Sequence, residues 1–226
     1  MECRIAIVTF DRKAGSSLLP AFRGAVAPLF PEENIYHNHD GKSLMYRYPL
    51  IQYKLIEGRI SIVGINEGAA SVENHFQCGQ RLTLRLYDKD VELHVASKVT
   101  HYYSPESFEK AENYYFLKGW LPLNQENHRK YIKAESLSEK ISLLDGILSA
   151  NILSLFGGFG YFSENRSIAQ IVEIVSSDTV KYKDNEMLSF NVRFKCNAAL
   201  PEFCGLGKGA SRGFGTIFKS HPKSKR

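Results

Sequence analysis

Cysteine is scarce in this chain. Cys3, Cys78, Cys196 and Cys204 are the only four, and none pair as CxxC. No disulfide framework can be built from that spacing, and reduced thiols in a cytoplasm are expected. Long hydrophobic runs are missing too. The best candidate, Ile147 to Phe162, is interrupted by Ser149, Asn151, Ser154 and several glycines, so a membrane span is not expected. The N-terminus, Met1-Glu2-Cys3-Arg4-Ile5, lacks the basic-then-apolar order of a secretory signal and reads directly as a strand. Acidic residues are absent from Gly205 to Arg226, where Lys208, Arg212, Lys219, Lys223, Lys225 and Arg226 fall. Those are six of the 29 basic residues, which leaves 23 against 24 acidic ones elsewhere. The formal net charge of +5 is therefore concentrated at one end, and a polyanionic partner fits it better than a generally basic surface does.

A hydrophobic content of 43% over 226 residues is enough for one large domain or two small ones. Cys3 to Phe10 alternates and is rich in Ile and Val, which predicts a strand. Ser16-Ser17 offers an N-cap, and Leu18, Leu19, Phe22, Val26 and Leu29 follow at helical spacing up to Pro31. Strands are predicted at Met45 to Ile56 and Ile60 to Ile65, joined at Glu57-Gly58-Arg59. A short helix from Glu67 to Phe76 then precedes strands at Arg81 to Tyr87 and Val91 to Val99. The order is β-α-β-β-α-β with an added hairpin strand, as in a ferredoxin-like or RNA-recognition-type sandwich. Turn chemistry at Ser104-Pro105-Glu106 marks a boundary, giving domains 1–105 and 106–226.

In the second half, Tyr114 to Leu121 is an apolar-aromatic strand. Ser136-Leu137-Ser138-Glu139 is a capping-box pattern. It opens a helix striped by Leu137, Ile141, Leu144, Leu148, Ile152 and Leu155, ending at Gly157-Gly158. Strands at Ser167 to Val175 and Met187 to Cys196 lead to a glycine-rich stretch, and then to a last strand at Phe214 to Phe218. The order is again β-α-β-β, with a loop where the second helix would stand. The expected class is α+β, two tandem ferredoxin-like domains.

The glycine-rich stretch runs from Cys204 to Ile217 and holds Gly205, Gly207, Gly209, Gly213 and Gly215 beside Lys208, Ser211 and Arg212. Glycine tolerates positive φ and has no Cβ, so such a loop can turn several backbone N–H groups toward one anion. It is not a Walker loop, because no Ser or Thr follows Lys208. Nor is it a dinucleotide loop, because it opens a strand and not a helix. An RNA-backbone clamp fits better, with Lys208, Ser211 and Arg212 on phosphates.

His37 and His39 flank Asn38 in a polar stretch. Cleaving RNA through its own 2′-OH needs one proton removed and one delivered to the departing oxygen. Imidazole, with an ordinary pKa of about 6.5, suits both transfers. On an extended segment, residues i and i+2 share a face about 6.5–7 Å apart, within reach of one phosphate. The same pair could be a metal half-site with Asp40, or two exposed histidines without a role. Tyr46 could hold the sugar or assist a proton transfer. Lys54 or Arg47 could face the charge of the phosphorane, and Arg23 and Lys42 are candidate backbone contacts. Tyr102-Tyr103 and Tyr114-Tyr115-Phe116 could stack bases, although such strands usually fill cores. His75, His94, His101, His128 and His221 show no partner pattern and read as structural or surface residues.

Gly205-x-Gly207 through Gly213-Phe214-Gly215 resembles the C-terminal signature of the CRISPR repeat-processing endoribonucleases of the RAMP superfamily. The resemblance extends to Arg23-Gly24-Ala25-Val26, His37-Asn38-His39-Asp40-Gly41 and the run from Tyr46 to Lys54, similar to a branch with a dedicated N-terminal domain. The capped helix and Asn151-Ile152-Leu153 also fit. This resemblance implies metal-independent cleavage of precursor CRISPR RNA within its repeats, with His37, His39 and Tyr46 catalytic. It implies RNA contacts from Lys54 and the glycine loop. It further implies no cofactor, repeat RNA and effector-complex subunits as partners, and a monomer or homodimer.

Overall fold

The computed structural model describes residues 2–37, 39–40, 43–44, 48–104, 112–162 and 168–221. They divide into two units, Met1–Ser104 with Ser211–Gly213, and Pro105–Ala210 with Phe214–Arg226.

In the first unit, β1 (Cys3–Lys13) has Ile5, Ala6, Ile7 and Val8 all buried, so both of its faces are covered. After it come a 3-10 turn and α1 (Leu19–Val26), then the short helix α2 (Asn34–His37). The small strands β2 (His39–Asp40) and β3 (Ser43–Leu44) pair with each other. Next are β4 (Ile51–Ile56), β5 (Arg59–Ile65), α3 (Glu67–His75), β6 (Arg81–Leu86) and β7 (Lys89–Tyr103). The main sheet is antiparallel in the order β4-β5-β1-β7-β6. With the extra edge strand β6 set aside, this is the ferredoxin-like order, in which the central strands β5 and β1 are those that lead into α3 and α1.

Edge-to-face ring pairs tie sheet to helices: Phe10–Phe22 at 5.4 Å, Phe10–Phe76 at 5.9 Å and Phe22–Tyr53 at 5.7 Å. Glu57 and Gly58 both take positive φ, making the type I′ turn that the β4–β5 hairpin requires. The N-cap expected at Ser16-Ser17 is not used. These residues form the 3-10 turn with no side-chain cap, and α1 begins at Leu19 with Pro20 in its first turn.

The second unit contains β8 (Asn113–Trp120), α4 (Gln125–Lys133), α5 (Leu137–Gly158), β9 (Ala169–Tyr182), β10 (Asn185–Cys196) and β11 (Thr216–Lys219). Its sheet, β11-β8-β10-β9, repeats the same permutation. Residues 197–215 take the place of the second helix, as the sequence pattern implied.

Helix α5 begins with the expected capping box. Ser136 Oγ accepts from the Glu139 N–H at 3.2 Å, and the Glu139 carboxylate accepts from the Ser136 N–H at 3.4 Å. Its buried stripe starts later than expected, at Leu144, because Leu137 is exposed. By length and composition α5 could cross a membrane, which the run from Ile147 alone did not reveal. Here it docks on the sheet through Leu144, Leu148, Ile152, Leu155 and Phe156. The polar residues within it serve the edge strand. Asp145 accepts from the Ile171 N–H at 2.7 Å and Ser149 from the Ala169 N–H at 3.0 Å, covering donors that an edge would leave open.

Helix α4 was not expected. None of its residues is buried, so it carries no apolar stripe. Local polar chemistry and one aromatic contact hold it: Asn124 Oδ1 caps the Asn127 N–H at 2.8 Å, Glu126 pairs with Lys130 at 2.6 Å, and the half-buried Tyr131 sets its ring against Phe190 at 5.7 Å.

Candidate functional site

His37 closes α2 and His39 opens β2. The backbone changes from helix to strand between them, so the two are not alternate residues of one extended segment, and the equal-face argument from strand geometry does not hold. Tyr46, Lys42 and Arg47 lie outside the described residues.

What holds this segment is a polar anchor on α3. Tyr36, next to His37, is almost fully buried, and its hydroxyl lies 3.0 Å from Ser71 Oγ. The Ser71 hydroxyl donates to the Glu33 carboxylate, and the other Glu33 oxygen lies 2.6 Å from His75 Nε2. Phe30 stacks on the His75 ring at 4.0 Å and on Tyr36 at 4.6 Å. Burial opposes ionisation of Glu33, but the bonds from Ser71 and His75 outweigh it and hold its carboxyl below the usual range. Burial pushes the Tyr36 phenol upward, so it stays neutral. A depressed carboxylate contributes stability that is complete above its unfolded pKa of about 4.3 and is lost as pH falls through the folded value. Glu33→Gln should remove that acid-side loss, so thermal melts of variant and wild type should converge as the pH falls below about 4. Ser71→Ala leaves Glu33 short of a donor and should cost about 1 kcal/mol at neutral pH.

The glycine loop is closed at its base. Gly205 bridges to Thr216, the Leu206 N–H donates to Gly215 O at 2.8 Å, and the Ile217 N–H donates to Cys204 O at 3.0 Å. The Gly215 N–H donates to Gly119 O at 3.0 Å, and the Phe214 N–H to Gly209 O at 3.3 Å. An anion cradle made from the whole loop is therefore ruled out, because these donors are already spent and Gly205 and Gly215 are buried. Among the described residues, the N–H groups of Gly207, Lys208 and Gly209 donate to no acceptor.

Two of the glycines are required by packing. Gly207 has φ +78°, and a Cβ there would lie 2.8 Å from Asn151 Oδ1 and 2.9 Å from Trp120 Nε1, atoms that bond each other at 2.9 Å. A Cβ on Gly215 would collide with the Leu206 carbonyl. Lys208 is exposed, with its Nζ 5.4 Å from the centre of the Tyr182 ring. Ser211 and Arg212 stand half-buried in a 3-10 turn, and with Gly213 they belong to the first unit.

The remaining candidates separate clearly. Lys54 is fully buried in β4 and has partners within the chain, so the RNA contact expected of it has no exposed ammonium behind it. Arg23 is half-buried on α1. Tyr115 is a core residue. Its hydroxyl accepts from the Leu200 N–H at 2.7 Å, and burial pushes its phenol up to about 12. Phe116 is half-buried beneath Arg193, and Tyr103 and Tyr114 are half-buried too, whereas Tyr102 is 65% exposed and is the most open of the stacking candidates. Among the described residues, no three His, Cys, Asp or Glu side chains come together as a metal site.

Two features escaped the sequence reading. The anchor joins Glu33 to residues 38 and 42 positions away, and no local pattern announces it. His128 and Arg129 on α4 sit near Lys208, and only the Asn124 cap and the Glu126/Lys130 spacing hinted at that helix.

Two sheets of the same permutation, the second with a basic glycine loop in place of its second helix, define a tandem ferredoxin-like protein. The family model described as Cas6b N-terminal domain matches residues 1–101, and that described as Cas6b C-terminal domain matches residues 106–220. The chain belongs to the Cas6b family. A crystal structure of Cas6b is similar over 97% of this chain and 100% of its own, with 25% identity and a TM-score of 0.82. A crystal structure of CRISPR RNA processing endoribonuclease Cas6b is similar over the same shares, with 23% identity and a TM-score of 0.72, and shows the shared fold. An uncharacterized protein of Methanocaldococcus jannaschii, MJ0978, is 34% identical over 117 residues, 50% of this chain and 78% of its own length.

Proposed function

We propose that this chain is a metal-independent endoribonuclease that cuts precursor CRISPR RNA within its repeats. The observation that carries this reading is the match of both halves to Cas6b domains in a chain that also places a histidine pair at the α2–β2 junction. One imidazole removes the 2′-OH proton, and O2′ attacks the adjacent phosphorus. The other, protonated, gives its proton to the departing O5′. The products are a 2′,3′-cyclic phosphate and a 5′-hydroxyl. Tyr46 is assigned to the sugar or to one of the proton transfers. Lys208, Ser211 and Arg212 are assigned to RNA phosphates, together with the unspent N–H groups of Gly207 to Gly209. Repeat RNA in the cytoplasm is the partner of this reading, with effector-complex subunits as the second class, and the protein acts as a monomer or homodimer.

Repeat RNA incubated with the protein in excess EDTA should still be cut, and a single 2′-deoxy substitution at the cut site should block the reaction. Loss of cleavage in EDTA would refute the metal-free mechanism. Tight binding of repeat RNA without cleavage by the wild type would make the chain a non-catalytic binding subunit.

A further inference from the structure

A cleft of about 380 Å³ opens in the second unit between α4, the start of β10 and the glycine loop. That volume exceeds what a bare phosphate needs and falls within the roughly 300–1,000 Å³ of sites that enclose small organic ligands. His128, Arg129 and Lys208 line it together with Met187 and Leu188. Among the described residues none of the three basic groups pairs with a carboxylate. Lys208 is steered by the Tyr182 ring beneath its ammonium. The N-terminus of α4 is not what attracts charge here, since Asn124 already caps it and Glu126 occupies its first turn. Among the described lining residues Glu186 is the single carboxylate. A carboxylate accepts from the amino group of a base and repels a phosphate, so it distinguishes the two ends of a nucleotide.

We propose that this cleft is a subsite for one nucleotide of the RNA strand, in the unit that does not carry the paired histidines, with its base against Met187 and Leu188 and its phosphates on Arg129 and Lys208. The mixture of cations, half-buried apolar residues and one base-edge acceptor is what a nucleotide offers partners for, and what a plain anion does not. His128 thereby leaves the set of histidines without a partner pattern. The inference rests on the RNA reading above but not on the cleavage step.

The test uses the full chain and a repeat RNA made uncleavable by a 2′-deoxy residue at the cut site. Single 4-thiouridines are placed along it, irradiated, and the crosslinked peptides mapped. One position should crosslink to residues 123–129 or 185–188. The Arg129→Ala/Lys208→Ala double variant should lose that crosslink and bind about tenfold more weakly, with the slope of log K against log salt shallower by about 1.4 for two lost phosphate contacts. Both side chains are exposed, so melting of the variant should match wild type. Crosslinks confined to other peptides, or a variant with unchanged affinity and slope, would overturn the subsite. Cleavage of the all-ribose repeat is read in parallel. A wild type that crosslinks in the cleft but never cuts overturns the nuclease reading and leaves the subsite standing.

Discussion

His39→Ala and, separately, His37→Ala should each slow cleavage of repeat RNA by about 10²–10⁴-fold, the usual value of one positioned acid or base. Affinity for an uncleavable repeat should not change. The split between rate and affinity is the informative part, because an imidazole that moves a proton in the transition state contributes little to ground-state binding. If the two act on one phosphate, the double variant should be little slower than either single variant, since groups that act as a unit are strongly non-additive. The pH–rate profile should be a bell, and each single variant should lose one limb. A His39→Ala protein that cuts at the wild-type rate removes His39 from the mechanism. Which residue is base and which is acid follows from the limb each variant loses. It does not follow from their spacing, because α2 ends and β2 begins between them.

Gly207→Val should act on stability before it acts on RNA. A branched side chain at φ +78° is strained by roughly 1–3 kcal/mol. Its Cβ would also press into the Trp120–Asn151 hydrogen bond, a part-buried contact worth about a further 1 kcal/mol. A total near 3 kcal/mol corresponds to a fall in melting temperature of about 6–12 °C for a chain of this size. Lys208→Ala, one residue on, should leave the melt unchanged and weaken binding. If Gly207→Val melted like wild type and only bound RNA less well, the glycine would serve the ligand and not the packing.

The strand order of both units could be read from the sequence because it rests on local signals: alternation in Cys3 to Phe10, the Glu57-Gly58 turn, the Ser136/Glu139 box. Even the missing second helix showed, as a glycine-rich gap between β10 and β11. Helix α4 did not show, because periodicity finds helices that bury a face and this one buries none. The interruptions in the α5 pattern were visible, but their purpose was not. Ser149 and Asn151 looked like breaks in an apolar run and are hydrogen-bond partners of β9 and Trp120. The histidine pair stands out in the sequence by residue type alone, whereas the Glu33–Ser71–His75 anchor does not show, because three dispersed polar residues carry no periodicity. Lys54 went the other way. A lysine in a strand reads as a solvated charge, and only the fold shows that it is enclosed.

The trait by which such chains are most readily picked out also takes on a different meaning. Gly207 and Gly215 are held in place by Trp120, Asn151 and the Leu206 carbonyl, all parts of the chain itself. Selection would therefore keep those glycines in a descendant that had stopped handling nucleic acid altogether, as long as it still had to fold. Loss of ancestral activity would appear first at the proposed contacts: at Lys208 and Arg129, which are exposed and whose substitution leaves the architecture untouched, and at the histidine pair assigned to cleavage. Ranking related chains by those positions, with the glycines ignored, should separate working members from inherited shells.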